Sequence, residues 1–317
     1  MSGQIPLLVV SRLGVTFLTL LIVSFVVFGA TLLLPGDVVE ILLGQAATPE
    51  AVAGLREAMH LDSPALVRYG QWLFGLLQGD LGVSYANNMP VADMVAGRLA
   101  NTLRLAAATT IIAVPIALLL GITTAMYRGS LYDRVITTIV VSIVSVPEFL
   151  IATLAVLVFA VWLRWLPALS FTTDLSSFGQ LLKAFAMPVI TLSFVIAAQM
   201  IRMTRAAMID ALNMSYVEMA ILKGASKTRV VLRHALPNSI GPIANAIALS
   251  LSYLLGGVII VETIFNYPGV AKLMVDSVAT RDLPLIQSCA MIFCVGFLTL
   301  TTVADIIAIV SNPRLRT

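Results

Sequence analysis

The sequence predicts an all-α membrane protein with six transmembrane helices and a large loop after the first of them. Three observations carry this. Of 317 residues, 59% are hydrophobic and only 11% are charged, whereas a soluble domain carries about 25% charged residues. The apolar residues fall in runs long enough to cross about 30 Å of hydrocarbon at about 1.5 Å per residue. The charged residues gather between the runs. The length suits one membrane domain plus loops and leaves no room for a further soluble enzyme domain of about 100–150 residues. The net charge of +3 is modest and does not point to nucleic acid.

The first run covers residues 13–34, after Arg12 and before Pro35-Gly36-Asp37. A signal-peptide core has only about 7–15 apolar residues, so residues 1–34 read as an N-terminus and an uncleaved first helix. Residues 35–98 are acidic and broken by Gly and Pro, and read as a folded extracytoplasmic loop. Thr48 ahead of Pro49-Glu50 marks a short surface helix over 49–60. Residues 99–311 hold five more spans: 99–127 with Pro115, 135–163 with Pro147 and then Glu148, 183–203 with Pro188, 240–261, and 285–310. The loops are 164–182, which includes Asp174, and 262–284. Residues 312–317 form a tail.

Six spans put both termini on one side, and Lys and Arg choose the side. The termini, residues 128–134 and residues 202–238 carry Arg12, Arg128, Arg134, Arg202, Arg205, Lys223, Lys227, Arg229, Arg233, Arg314 and Arg316, against Asp133, Asp210 and Glu218. That side is expected to be the cytoplasm. The tail and residues 213–238 would face it, and the acidic loop would face outward.

Residues with chemical potential are few. Glu148 interrupts an apolar run, and an unpaired carboxylate at mid-membrane costs roughly 2.5–3.5 kcal/mol on insertion scales. Two readings stay open. Pro147 and Glu148 belong to a translocation pathway that meets a cationic group, or the carboxyl is hydrogen-bonded to a neighbouring helix. Asp305 reads as a structural partner for a cytoplasmic Arg. Gln199, Arg202 and Arg205 share roughly one face and are expected to snorkel to the interface. Gly256-Gly257 allows close helix packing. Cys289 and Cys294 read as free apolar thiols, and neither Cys nor His spacing makes a metal site. No phosphate-cradling GxxxxGK[ST] and no GxSxG is present, so no ATP hydrolysis or substrate hydrolysis is expected of this chain.

Residues 213–238 are polar and basic, yet patterned. Ser215 with Glu218 three residues on predicts a capping box. Tyr216, Met219, Ala220 and Lys223 then line one face, and Gly224 stops the helix. A second helical run over 227–235 ends before Pro237. Exposed Tyr, Met and Ala call for a partner groove, or the helix lies on lipid.

The spacing Glu218-x-Ala220-x-x-x-Gly224, then His234-x-Leu236-Pro237, resembles the EAA loop of ABC importer permeases. Met219 stands where the pattern has its first Ala, and His234 where it has an apolar residue. Further stretches resemble the dipeptide/oligopeptide/nickel permease family: Gly79-Asp80-Leu81-Gly82-x-Ser84, Pro90-Val91, and Arg98-x-x-Asn101-Thr102-Leu103. Others are Glu262-Thr263-Ile264-Phe265-Asn266-Tyr267-Pro268-Gly269-Val270, Arg281-Asp282-x-Pro284-x-Ile286-Gln287, and the ending Asn312-Pro313-Arg314-Leu315-Arg316. The long loop after the first helix resembles the B-type subunit. Glu148 departs from the small or uncharged residue usual after that proline.

The resemblance implies a type I ABC importer permease fold in the bacterial inner membrane. It implies a homologous second permease subunit, two cytoplasmic ATPase subunits that bind ATP and Mg, and a periplasmic or lipid-anchored binding protein. No cofactor is expected in this chain. The coupling residues would be Ser215, Tyr216, Glu218, Met219, Ala220, Gly224, Ala225, Leu236 and Pro237. Di- or oligopeptide, nickel chelate and glutathione remain open as solutes. A stand-alone ion-coupled carrier would need a relay of intramembrane charges, for which only Glu148 and Asp305 are available. A scaffolding role would leave the EAA-like pattern unexplained.

Overall fold

The computed structural model describes residues 4–170 and 178–311. The Asn312–Arg316 ending, the tail and Asp174 lie outside the described residues. The elements are α1 Gln4–Leu32, α2 Val38–Leu43, α3 Pro49–Ala58, α4 Ala65–Leu77, α5 Val91–Met126 and α6 Leu131–Ser145. Then come α7 Glu148–Trp162, α8 Phe178–Leu212, α9 Ser215–Leu222, α10 Lys227–Ile264, α11 Val270–Ala279 and α12 Leu283–Ser311. Among the described residues the only extended pairing is a single bridge, Val83 to Pro90.

Five of these helices are long and apolar enough to cross a membrane: α1, α5, α8, α10 and α12. The pair α6–α7 makes a sixth if it is one broken span, because the two bend by 102° across Val146-Pro147. The expected kinked span over 135–163 is therefore a break, not a kink. Proline disfavours helical backbone in the residue before it. Val146 is extended at φ −95°, ψ 131°, and Pro147 opens α7 as its N-cap. Pro115 and Pro188, by contrast, sit inside unbroken helices.

Two further differences concern length. Helix α5 reaches back to Val91 rather than starting at 99, and residues 262–284 contain α11 rather than forming a plain loop. In the loop after α1, α3 starts as its sequence suggests. Thr48 Oγ1 accepts the Ala51 N–H at 3.2 Å, with Pro49 in the first turn.

The chain divides into two compact units. The first holds the described parts of Met1–Thr16, Arg104–Tyr267 and Gly296–Thr317. Its centre is α8 packed along α10, with α6 against α8 and α7 against α10. Small residues bring the helices close. A Cβ on Gly121 would lie 2.7 Å from Thr204 Cβ, so only glycine fits between α5 and α8. Arg12 pairs with Asp305 at 3.1 Å, and Thr16 bonds Thr302 at 2.6 Å. The structural pairing expected of Asp305 is present.

The second unit is Phe17–Leu103 with Pro268–Val295. Its apolar core is Val91, Val95, Val270, Leu273, Leu285 and Cys289. Its polar core joins stretches nearly 200 residues apart. Asp282 is buried and accepts from Ser84 Oγ and from the Tyr85 N–H at 3.1 Å. Asn101 Nδ2 donates to the Pro268 carbonyl at 3.0 Å, and Thr102 Oγ1 accepts the Val270 N–H at 2.9 Å. Gln287 Nε2 reaches Thr31 Oγ1 at 2.7 Å. Buried polar groups need partners, so these residues serve one another. Burial also pushes the Tyr85 phenol up from its usual range. Cys289 and Cys294 are both free thiols, as expected.

Candidate functional site: a helical knob and an acidic cleft

Two places in the first unit combine built geometry with exposed or unpaired groups. The first is α9 and the start of α10. Helix α9 runs Ser215–Leu222 and begins without the expected capping box. Ser215 is its first residue, and its N-cap is Met214, whose side chain makes no capping hydrogen bond. What seats α9 is burial. Val217 and Ala220 pack on Val230, with Leu212 and Ala225 around them. Ala220 therefore points inward, not outward with Tyr216 and Met219.

The end of α9 follows the glycine rule closely. Gly224 sits at φ +79°, a region costly to any residue with a Cβ. Its N–H bonds the Ile221 carbonyl at 2.9 Å, and the Ala225 N–H bonds the Ala220 carbonyl at 3.1 Å. That reciprocal pair is a Schellman cap, completed by the Ala225–Ala220 apolar contact.

Buried Val217 contrasts with exposed Tyr216 (42%), Met219 (53%) and Leu222 (73%). One face of α9 is thus spent on the fold, and the rest presents apolar side chains. Glu218 is exposed beside them.

The run over 227–235 does not stop before Pro237. It continues as α10 through to Ile264. The reason is a π-helical turn over Val230–Ala235, in which the Leu236 N–H reaches back five residues to Val231. Proline lacks the N–H needed for a regular turn, and the wider turn absorbs it. Asn238 Nδ2 and Ser239 Oγ then cover the His234 and Ala235 carbonyls at 2.8 and 2.9 Å. Helix α9 sits against this turn, and Leu236 and Pro237 lie in the helix that carries it onward.

The second place is a cleft of about 460 Å³, lined in part by Glu148, Gln199, Ser250, Tyr253 and Gly257. Glu148 is the first residue of α7, immediately after the break. The expected alternative, a hydrogen bond to a neighbouring helix, is not made among the described residues. Gly257 is buried, and a Cβ there would lie 2.9 Å from Glu148 Oε2 and 3.2 Å from Leu192 Cδ2. Close packing is thus the role of Gly257, whereas Gly256 has open space.

Arg205 is not snorkelling. It forms a two-pronged pair with Asp133, Nε to Oδ1 at 2.8 Å and Nη2 to Oδ2 at 2.9 Å. Asp133 also accepts from the Gly129 N–H at 2.9 Å and Thr137 Oγ1 at 3.2 Å. This pair joins α6 to α8. The sequence held one clue, a lone acidic residue in the basic 128–134 turn, but no pattern linked it to Arg205. Arg202 donates to Gln199 Oε1 at 3.1 Å. Among the described residues no group of His, Cys, Asp and Glu has the geometry to hold a metal ion.

The model of the binding-protein-dependent transport system inner membrane component matches residues 117–317, and its N-terminal companion matches residues 6–106. The chain belongs to this permease family. The glutathione transport system permease protein GsiC of Escherichia coli O6:H1 is 37% identical to it over 308 residues, covering 97% of this chain and 98% of the relative. GsiC of Escherichia coli K12 matches to the same extent. GsiC of Salmonella choleraesuis is 37% identical over 298 residues, covering 94% and 95%. The permease is therefore a multi-pass inner-membrane subunit of an ABC importer of the peptide and nickel group, and a transport protein rather than an enzyme.

Proposed function

We propose that this permease forms half of a translocation pore with a homologous second permease, and that α9 docks into an ATPase subunit. The solute would be glutathione or a peptide of similar size, delivered by a binding protein. Two ATPase subunits would supply the energy from ATP and Mg bound outside this chain. Residues 213–238 would face the cytoplasm with both termini, as the distribution of Lys and Arg favours, and the loop over 35–98 would face outward.

The observation that carries this reading is the split personality of α9. Val217 and Ala220 are used by the fold, while Tyr216, Met219 and Leu222 stay exposed on a helix held at both ends. An apolar helix face of this kind suits a groove in another protein. The π turn beneath it is continuous with α10, so a push on α9 has a stiff route into a spanning helix. Glu218, Ser215, Gly224, Ala225, Leu236 and Pro237 frame that surface. Pro147 and Glu148 would belong to the pathway that the moving helices open and close.

A stand-alone ion-coupled carrier fits less well. Asp305 is paired with Arg12 and Asp133 with Arg205, so neither carboxylate is free to pass an ion to or from Glu148. The test is uptake of labelled glutathione into vesicles that contain the permease with its co-purifying chains and binding protein. Met219→Asp is expected to lose both the ATPase chains and ATP-driven uptake while the amount in the membrane stays the same. Wild-type uptake by Met219→Asp, or uptake without any ATPase, would overturn the reading.

A further inference from the structure

The cleft beside the α6–α7 break is lined by an unpaired carboxylate, with a buried hydroxyl in its wall. Glu148 makes no hydrogen bond or ion pair among the described residues. Ser250 lines the same cleft, is fully buried, and its hydroxyl has no hydrogen-bond partner among the described residues. Such groups are expensive in a membrane-spanning region and mark pathways when they face a cavity. Arg202, one turn beyond Gln199 on α8, is engaged with Gln199 and forms no ion pair with Glu148.

The room for the carboxylate is built in. Gly257 is the residue that a Cβ would bring against Glu148 Oε2. The other walls of the cleft include Ile143, Val195 and Ile260. A ligand for this place must therefore bring positive charge, N–H donors and some hydrocarbon. A carboxylate presented to this place would be repelled by Glu148, and an apolar group would leave the carboxylate unmet, so the solute must present its ammonium end here.

We infer that the cleft is a transit site for the primary ammonium group of the solute, held by the Glu148 carboxylate. This deepens the permease reading and rests on it. Charge-assisted hydrogen bonds are roughly twice as strong as neutral ones, so an ammonium gains more here than a charge without N–H groups.

The test uses native membranes and dicyclohexylcarbodiimide, which modifies carboxyl groups in apolar surroundings. Unmodified Glu148 peptide is counted by mass spectrometry. Methylammonium chloride is expected to slow labelling of Glu148 about tenfold relative to sodium chloride at equal ionic strength, from one charged hydrogen bond. Tetramethylammonium, which lacks N–H, should slow it far less. Gly257→Ala should weaken the methylammonium protection. Equal slowing by all cations, or no labelling at Glu148, would overturn the ammonium site. In the uptake assay, Glu148→Gln should lower the maximal rate about tenfold, with partial recovery in Glu148→Asp. A wild-type rate for Glu148→Gln would remove the site but leave the permease standing. Absence of ATP-driven glutathione uptake in the wild type would remove the proposed solute and coupling instead.

Discussion

Asp133 and Glu148 are two carboxylates on the same bent hairpin, fifteen positions apart, and they lead opposite lives. Asp133 begins α6 inside a closed set of donors: the Arg205 fork, the Gly129 N–H and the Thr137 hydroxyl. Glu148 begins α7 and faces a cleft with no donor of its own among the described residues. The first is fastened to α8 and acts as a rivet. The second is held in place by the backbone break and by the bare backbone of Gly257, and stays available. Acidity in an apolar chain is therefore not one signal. Its meaning depends on whether a partner is already in place.

The sharpest way to break this comparison is Asp133→Ala. The Arg205 guanidinium would lose its partner while still partly buried, and breaking a buried pair this way costs about 3–5 kcal/mol. A large drop in the thermal midpoint of the detergent-solubilised protein is expected. A midpoint within error of wild type would show that the pair is decorative.

Gly224→Asp should come next. A residue with a Cβ at φ +79° costs roughly 1–2 kcal/mol, and it would distort the cap without touching the core. Uptake should be lost while membrane content stays near normal, as followed by immunoblot beside the transport assay. Gly257→Ala is expected to be milder for folding, because Glu148 Oε2 and Leu192 Cδ2 are side-chain atoms that can shift. A fall of about 1 kcal/mol is in line with modest overpacking, measured by the same melt. Least of all, Glu148→Gln should leave the melt within about 0.5 kcal/mol, since no folded-state partner is lost. A strong destabilisation by Glu148→Gln would make the two carboxylates alike and erase the contrast.

How far the chain could be read in advance differs between these places. Gly224 needed only its own backbone, and the helix stop it marks is seen in the Schellman cap. Thr48 and Pro49 likewise announce α3 locally. Ser215 misled because a cap needs the residue before the helix, and the chain starts α9 one position earlier than that, with Ser215 already inside it and the packing of Val217 and Ala220 holding it. Arg205 misled because its partner lies 72 residues away. The node of Ser84, Asp282, Asn101 and Thr102 was visible as motif stretches, but nothing in their spacing told that they meet.

The sequence by itself determined that this is a helical membrane protein, where most of its spans fall, and that a patterned polar segment without a nucleotide motif lies between two of them. Those properties follow from composition, period and backbone preference, which act over a few residues. Only the tertiary structure decided that Pro147 breaks a span while Pro115 and Pro188 do not. It also decided that α10 runs through Pro237, that Ala220 faces inward, and which carboxylate is paired. The reason is physical: each of these depends on what another helix places opposite, and no local stretch encodes the neighbour it will meet.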